Sequence, residues 1–234
     1  MKSSWAVILG GSIIIAAVVF GIFYYGANMR TETVRVVGYA TRDFDADVAK
    51  WSFTLSESAP LNDLAGGFRR IEKQAAAFRK VWDAQGVVAE ELTFQPVSTG
   101  KNYDRNGEES GYRVTQQVDI VCRDLDGLDA LAQNPMAFID AGVAFEYSRI
   151  EYYSSDIADL KKELLANATA DARDRAERIV EGGGRAIAKL MSARSGIFQI
   201  TERLSTEVSD YGMYNTASRH KTIKVTVSAE FGLE

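Results

Sequence analysis

Residues 48–57 read VAKWSFTLSE, and their alternation decides the fold. Ala49, Trp51, Phe53 and Leu55 fall on one side of an extended chain, and Lys50, Ser52, Thr54 and Ser56 on the other. A period of two with one apolar and one polar face is a half-buried strand. Upstream, residues 33–40 (TVRVVGYA) read as a second short strand, and the polar turn from Asp43 to Asp47 predicts that the two form a hairpin.

Downstream, Pro60 opens a helix in which Leu61, Leu64, Phe68, Ile71, Ala75, Phe78 and Trp82 recur at spacings of three and four. Gly86 ends it, as glycine does just past a helix. Residues 87–98 and 111–123 are the next two strands, and Asn106-Gly107 between them is a hairpin signal because both residues accept positive φ. Tyr112, Val114, Gln116, Val118, Ile120 and Cys122 share one face of the second of these strands.

Leu125, Leu128, Leu131 and Ala132 start a short helix that breaks near Pro135, and residues 143–153 form another strand. Asp156 caps a long helix to about Glu181, with Ile157, Leu160, Leu164, Ala168, Ala172, Ala176 and Ile179 facing inward. Gly182 to Gly184 stops it, residues 186–203 are extended, and residues 204–219 are a loop rich in Ser, Thr, Tyr and Asn. In the last strand Ile223, Val225, Val227, Ala229 and Phe231 alternate with Lys224, Thr226, Ser228 and Glu230. The fold class is α+β: mainly antiparallel sheets with two long amphipathic helices in the order ββαββ-αβαββ.

One transmembrane helix precedes this fold. Trp5 to Tyr25 is uncharged over 21 residues, long enough as a helix to span the roughly 30 Å hydrocarbon core of a bilayer. Trp5 at one end and Tyr24 and Tyr25 at the other suit the two headgroup interfaces. A cleaved signal peptide has a shorter apolar core and a small-x-small site, for which Gly26-Ala27-Asn28 is a poor match, so an uncleaved signal anchor is favoured. Lys2 favours an inside N-terminus and Arg30 and Arg35 oppose it weakly. Residues 1–29 are therefore read as the anchor and residues 30–234 as one extracytoplasmic domain. The expected location is the inner membrane, with the domain in the periplasm. Ala6 and Gly10, Ser12 and Ala16, and Ala17 and Gly21 are small residues four apart, a spacing that permits close helix approach.

Net charge is −5, and −6 for the soluble part once Lys2 is set aside, which gives no electrostatic reason to expect nucleic acid. Arg69, Arg70, Lys73, Arg79 and Lys80 cluster on the first long helix, but Glu72, Asp83, Glu90 and Glu91 lie near them and the set reads as a solvated face. A single cysteine, Cys122, precludes an intrachain disulfide and sits on an apolar strand face, where a buried, inert thiol is expected.

No chemistry-bearing constellation emerges. One histidine and one cysteine cannot supply a zinc shell. A Ser-His-Asp triad would have to use His220, which adjoins Arg219 and Lys221 and has no nucleophile elbow to accompany it. Gly182 to Gly184 follows a helix, the wrong place for a phosphate cradle. Asp43, Asp45 and Asp47 have the odd spacing of a calcium loop without its glycine and distal glutamate, and Glu108/Glu109 is a further carboxylate pair. Asn167-Ala168-Thr169 is a glycosylation sequon inside a predicted helix. No catalytic, cofactor-binding or metal residue is assigned, and no cofactor is expected. Tyr211-Gly212-Met213-Tyr214 is a candidate contact stretch, since loop tyrosines bury area at low entropy cost.

Four stretches carry a family resemblance: VRVVGYATRDFDADVAKWSFTL, YRVTQQVDIVCRDLDGLDAL, LKKELLANATADARDRAERIVEGGG and KTIKVTVSAEF, together spanning residues 34–231. The pattern resembles the SIMPL-domain family of bacterial cell-envelope proteins. The resemblance implies an extracytoplasmic protein with no established enzymatic activity, large ring- or cage-like homo-oligomers in at least some members, and a loose association with envelope or oxidative stress. Many relatives look secreted, whereas here the apolar segment reads as retained. The expected function is thus a membrane-anchored, self-assembling scaffold whose partners are further copies of itself and the membrane. The alternative is a periplasmic binding module for a small molecule or partner protein.

Overall fold

The computed structural model describes residues 2–28, 32–207 and 209–234, with the side chains of residues 2–9 and 26–28 outside that description. The element order is α1 (Lys2–Asn28), β1 (Thr33–Asp45), β2 (Val48–Ala59), α2 (Leu64–Gln85), β3 (Ala89–Phe94), β4 (Ser98–Tyr103), β5 (Glu109–Cys122), α3 (Leu125–Gln133), α4 (Met136–Asp140), β6 (Phe145–Tyr153), α5 (Ile157–Glu181), β7 (Ile187–Ser195), β8 (Gln199–Glu202), β9 (Met213–Tyr214) and β10 (His220–Leu233). The fold is α+β, with mainly antiparallel pairing and, among the described residues, one parallel pair, β8 with β9.

α1 is an unbroken helix of 27 residues. Every described side chain on it, residues 10–25, is exposed, including Ile13, Ile14, Ile15, Phe20 and Phe23. Among the described residues no helix is long and apolar enough to cross a membrane. The expected span also includes Trp5, and the possible cleavage site includes Gly26-Ala27-Asn28; these side chains, with those of Lys2, Ala6 and Arg30, lie outside the described residues.

The chain divides into two compact units. The larger comprises residues 39–167 and 196–226. Its main sheet has the order β3-β5-β2-β6, with β4 also pairing β5. β2 is central, antiparallel to β5 from Ala49↔Cys122 to Ala59↔Tyr112 and to β6 from Val48↔Tyr153 to Leu55↔Phe145. Its apolar face is buried as its alternation requires: Ala49, Trp51, Phe53 and Leu55 are all at most 1% exposed. Phe53 meets Phe78 of α2 at 5.0 Å between ring centroids, and Phe78 stacks on Phe138 of α4 at 4.8 Å. Such pairs are worth about 0.5–1.5 kcal/mol beyond the area they bury.

Several expectations are corrected here. β1 and β2 do not form a hairpin: β1 neighbours β10, and the chain changes sheet at Ala46 and Asp47, whose amides donate to the carbonyls of Arg219 and Tyr153. A polar turn shows that the chain reverses or bends, and it does not name the strand's partner. α2 begins at Leu64, not Pro60, because the Asp63 carboxylate accepts from Gly66 N at 2.9 Å and caps it. Leu61 and Phe68 are accordingly half-exposed, and the inner face is Gly67, Ile71, Gln74, Phe78 and Trp82. Of the expected strand at 87–98 only β3 is strand; it ends before Gln95-Pro96-Val97, where proline has no N–H for the ladder, and β4 lies almost wholly in the stretch read as the loop that follows. At the β4–β5 tip only Gly107 has positive φ, and the Asp104 carboxylate gathers the amides of Asn106 and Glu108 instead. Gly86 ends α2 in the left-handed conformation, as read from the sequence.

The smaller unit comprises residues 1–38, 168–195 and 227–234. In it β10 pairs β7 antiparallel, from Val227↔Ser195 to Leu233↔Ile187. Thr33 and Arg35 of β1 both donate to the Glu230 carboxylate of β10, at 2.8 and 2.9 Å. Ala168, Ala172, Ala176 and Val180 form the buried stripe of α5; Ile179, expected inward, is exposed because a four-residue step from Ala176 reaches Val180. The alanines let the helix approach β1 so closely that a Cβ at Gly38 would lie 2.8 Å from Ala172 Cα and closer still to Ala172 N and Ala168 O. No side chain fits there without moving backbone. Gly38→Val is therefore expected to lower stability by about 3 kcal/mol, at the upper end of overpacking costs, read from denaturant unfolding; an unchanged midpoint would show that α5 does not pack this tightly on β1.

Candidate functional site

Each residue weighed in the sequence has a defined setting. Cys122 is fully buried, its Sγ 3.3 Å from the carbonyl of Asp124. Burial pushes the thiol up to about 11, which keeps it protonated and unreactive. His220 Nδ1 lies 2.6 Å from Asp45 Oδ1, with both side chains largely exposed. Ser218 donates to the backbone carbonyl of His220 and not to its ring, and Thr222 donates to Asp43, so no triad forms among these groups.

The three aspartates of the spaced cluster are separated in use. Asp43 accepts from Thr222 Oγ1 at 2.6 Å and from Arg203 at 3.2 Å, and these hold its carboxyl below the usual range. Asp45 pairs with His220. Asp47 takes the Ser155 amide at 2.7 Å, the Ser155 hydroxyl and Arg123 at 2.9 Å. Burial works to raise the Asp47 carboxyl, and the Ser155 bonds with Arg123 outweigh it, so it too lies low. Among the described residues no group of three or more His, Cys, Asp or Glu is placed to hold a metal ion. Glu109 is tied to Lys101 across the hairpin. On α2, Arg70 pairs with Glu57 at 3.4 Å and both Arg69 and Arg70 approach Asp63, so the basic cluster is partly neutralised. Tyr211 is 97% exposed, while Tyr214 packs its ring 6.2 Å from that of Tyr153.

Two features were not singled out from the sequence. The first is Lys221, which is 0% exposed on the inner face of β10 beside Ile223 and Val225. Its Nζ donates to the carbonyl of Asn215, and no carboxylate among the described residues pairs with it. Asn215 in turn anchors the 204–219 loop: its amide donates to Ile200 O at 2.8 Å and its Oδ1 accepts from the amides of Ala217 and Ser218. Alternation did put residue 221 on the buried face, but a lysine there argues against burial.

The second is a cavity of about 470 Å³ in the larger unit, over β1, β10 and β8. Thr41, Thr201, Thr222 and Thr226 floor it together with Gln199 and Lys224, and the cross-strand pairs Thr222↔Thr201 and Lys224↔Gln199 set them side by side. Ser205, Thr206, Glu207, Ser209 and Asp210 wall it. Gln199 Nε2 donates to Ser209 O at 2.6 Å, which fixes the amide's orientation. Its Oε1 is buried without a hydrogen-bond partner among the described residues. A second concavity of about 600 Å³ between α2 and the sheet, lined by Phe68, Ala75, Phe94 and Val97, is mainly apolar.

The family model SIMPL, described as a protein of unknown function (DUF541), matches residues 34–231. The chain belongs to the SIMPL family. No curated protein matches it at a significant level. The matched range of this SIMPL domain takes in the β2 core, the α5 stripe, Lys221 and the whole lining of the polar cavity.

Burial holds the Lys221 ammonium down at about 8 from its ordinary 10.5. The unfolded chain therefore binds more protons than the folded one between those values, and stability rises with pH through that window. The full difference is worth about 3 kcal/mol at most. Lys221→Met lacks the buried charge, so it is expected to be more stable than wild type at pH 7, by a margin that shrinks as pH approaches 10.5. Urea unfolding of both proteins at the two pH values measures this, and a margin independent of pH would contradict it.

Proposed function

We propose that this SIMPL protein is a non-enzymatic, membrane-anchored envelope component whose soluble part joins further copies of itself. The observation that carries the anchor is α1, an apolar helix exposed at every described position from 10 to 25. Apolar surface on all sides of a helix is stable only when lipid or other helices cover it. With the uncharged stretch from Trp5 onward the helix reaches bilayer length, and the soluble domain lies on the periplasmic side of the inner membrane.

Self-association is supported by β7. It pairs β10 along one edge, and from Lys189 to Ser195 its residues are exposed. Leu190 and Met191 project from it, 44% and 45% exposed. An edge strand that exposes apolar side chains, as β7 does at Leu190 and Met191, is a template for another strand. Light scattering on detergent-extracted full chain, corrected for bound detergent, is expected to give a mass several times the 25.7 kDa of one chain. Leu190→Lys combined with Met191→Lys is expected to return it to a single chain, because like charges would face each other across the joined edges. A wild-type mass of one chain would end the proposal. N-terminal sequencing of the same extract is expected to begin upstream of Trp5; a start after residue 26 would remove the anchor and leave a soluble oligomer.

A binding module is the second reading, favoured by the polar cavity floored by Thr41, Thr201, Thr222 and Thr226. Small-molecule sites are concavities of roughly 300–1,000 Å³ with a few convergent polar groups.

A further inference from the structure

In the smaller unit β1 packs beside α5, and along this seam runs a shallow groove of about 350 Å³. Arg35, Val36, Val37, Arg175, Arg178 and Ile179 line it. Three of the six carry guanidinium groups and none is a carboxylate. Val36 is buried, as its place in the strand requires, but Val37 is 54% and Ile179 59% exposed. Arg178 is in the last turn of α5, where a cation complements the helix dipole. The dipole accounts for that one arginine. It does not account for two further arginines in the same groove, or for two uncovered branched aliphatic side chains among them.

The charge of the groove selects its guest. Arg35 donates to Glu230 at 2.9 Å, and Arg175 Nε to Asp171 at 2.8 Å. Arg178 meets no carboxylate among the described residues. Glu177 is taken by Arg173, and Asp174 and Glu181 are outside the lining. Three positive charges less the two paired carboxylates leave one net positive charge, centred on Arg178, which matches a monoanion and repels a cation. A guanidinium also suits phosphate oxygens, which it grips through two parallel N–H donors. Val37 and Ile179 call for an apolar body next to that anion, and basic side chains interspersed with exposed aliphatic ones are the composition of a surface seated at a lipid interface. Position agrees: Asn28 ends α1 and Thr33 starts β1, so five residues of chain hold the strand within about 18 Å of the helix end.

We propose that the groove between β1 and the end of α5 binds the headgroup of an anionic phospholipid, its phosphodiester on Arg178 and its first acyl carbons against Val37 and Ile179. The inference rests on the membrane-anchor reading above and names the lipid that the soluble domain would meet beside its anchor.

The test uses the full chain in a neutral detergent, with bound lipid counted by native mass spectrometry during titration with phosphatidylglycerol or phosphatidylcholine. One phosphatidylglycerol per chain is expected to bind saturably, about tenfold more tightly than phosphatidylcholine, the value of one charge-assisted hydrogen bond. Inorganic phosphate, which lacks the apolar part, is expected not to displace it. Arg178→Gln with Ile179→Gln changes two exposed side chains and is expected to remove that preference while leaving phosphatidylcholine retention unchanged; Arg178→Lys, which keeps the charge, is expected to retain more of it. Equal retention of the two lipids, or a preference that the double variant keeps, would overturn the proposal and place the lipid on α1 alone. Displacement by phosphate would overturn it in favour of a site for a free anion. The anchor is read separately, from the N-terminal sequence of the same extract, so a retained α1 without lipid selectivity sinks this inference and leaves the anchor standing.

Discussion

The packing of Phe53 and Trp51 against Phe78 is the contact on which the larger unit depends. Trp51 and Phe53 are neighbours on one strand face, 4.8 Å apart between ring centroids, and Phe78 is fully buried against both. Because β2 is flanked by β5 and β6, this face is the middle of the sheet, and whatever covers it must be an element long enough to lie across several strands. α2 does so, and α4 adds Phe138 at the end of the cluster. The polar backs of the same strands are organised by the same register. Ser52, Lys50, Gln117 and Gln95 converge on the Asp119 carboxylate; burial works to raise it, and these partners outweigh that and hold it low.

Much of this is legible in the chain itself. The faces of β2 and β10, the glycine stop after α2 and the Ala stripe of α5 follow from period and turn chemistry, which are local. What local pattern does not carry is partnership. β1 and β2 are separated by two residues and joined by a polar turn, yet β1 lies beside β10, whose first residue is 175 positions beyond Asp45. Gln74 falls on the inner face of α2 although it is polar. It is accommodated there because its amide meets Ser56 O, Glu57 and the amide of Ala144, three groups that a sequence cannot bring together.

The site was less legible than the fold, for a related reason. Thr222, Lys224 and Thr226 alternate with buried residues, so they read as a solvated strand face. It is a loop of small polar residues, folded back over them, that turns the face into a cavity. Lys221 was concealed by its chemistry: its position in the alternation was right, and its charge argued the other way. The histidine and the aspartates, which drew attention as chemistry-bearing types, are instead shared out among separate structural bonds between β1, β10 and the start of α5.

Two features stand out for their exposure: the apolar helix α1, exposed at every described position from 10 to 25, and the β7 strand, exposed from Lys189 onward. The proposed function assigns lipid to the one and another copy of the chain to the other. Electron-microscopic imaging of the intact detergent-solubilised particle tests this most directly. The account predicts several soluble domains meeting along their β7 edges, with their α1 helices gathered in one detergent belt. A single soluble domain on each belt, with β7 facing open solvent, would contradict it.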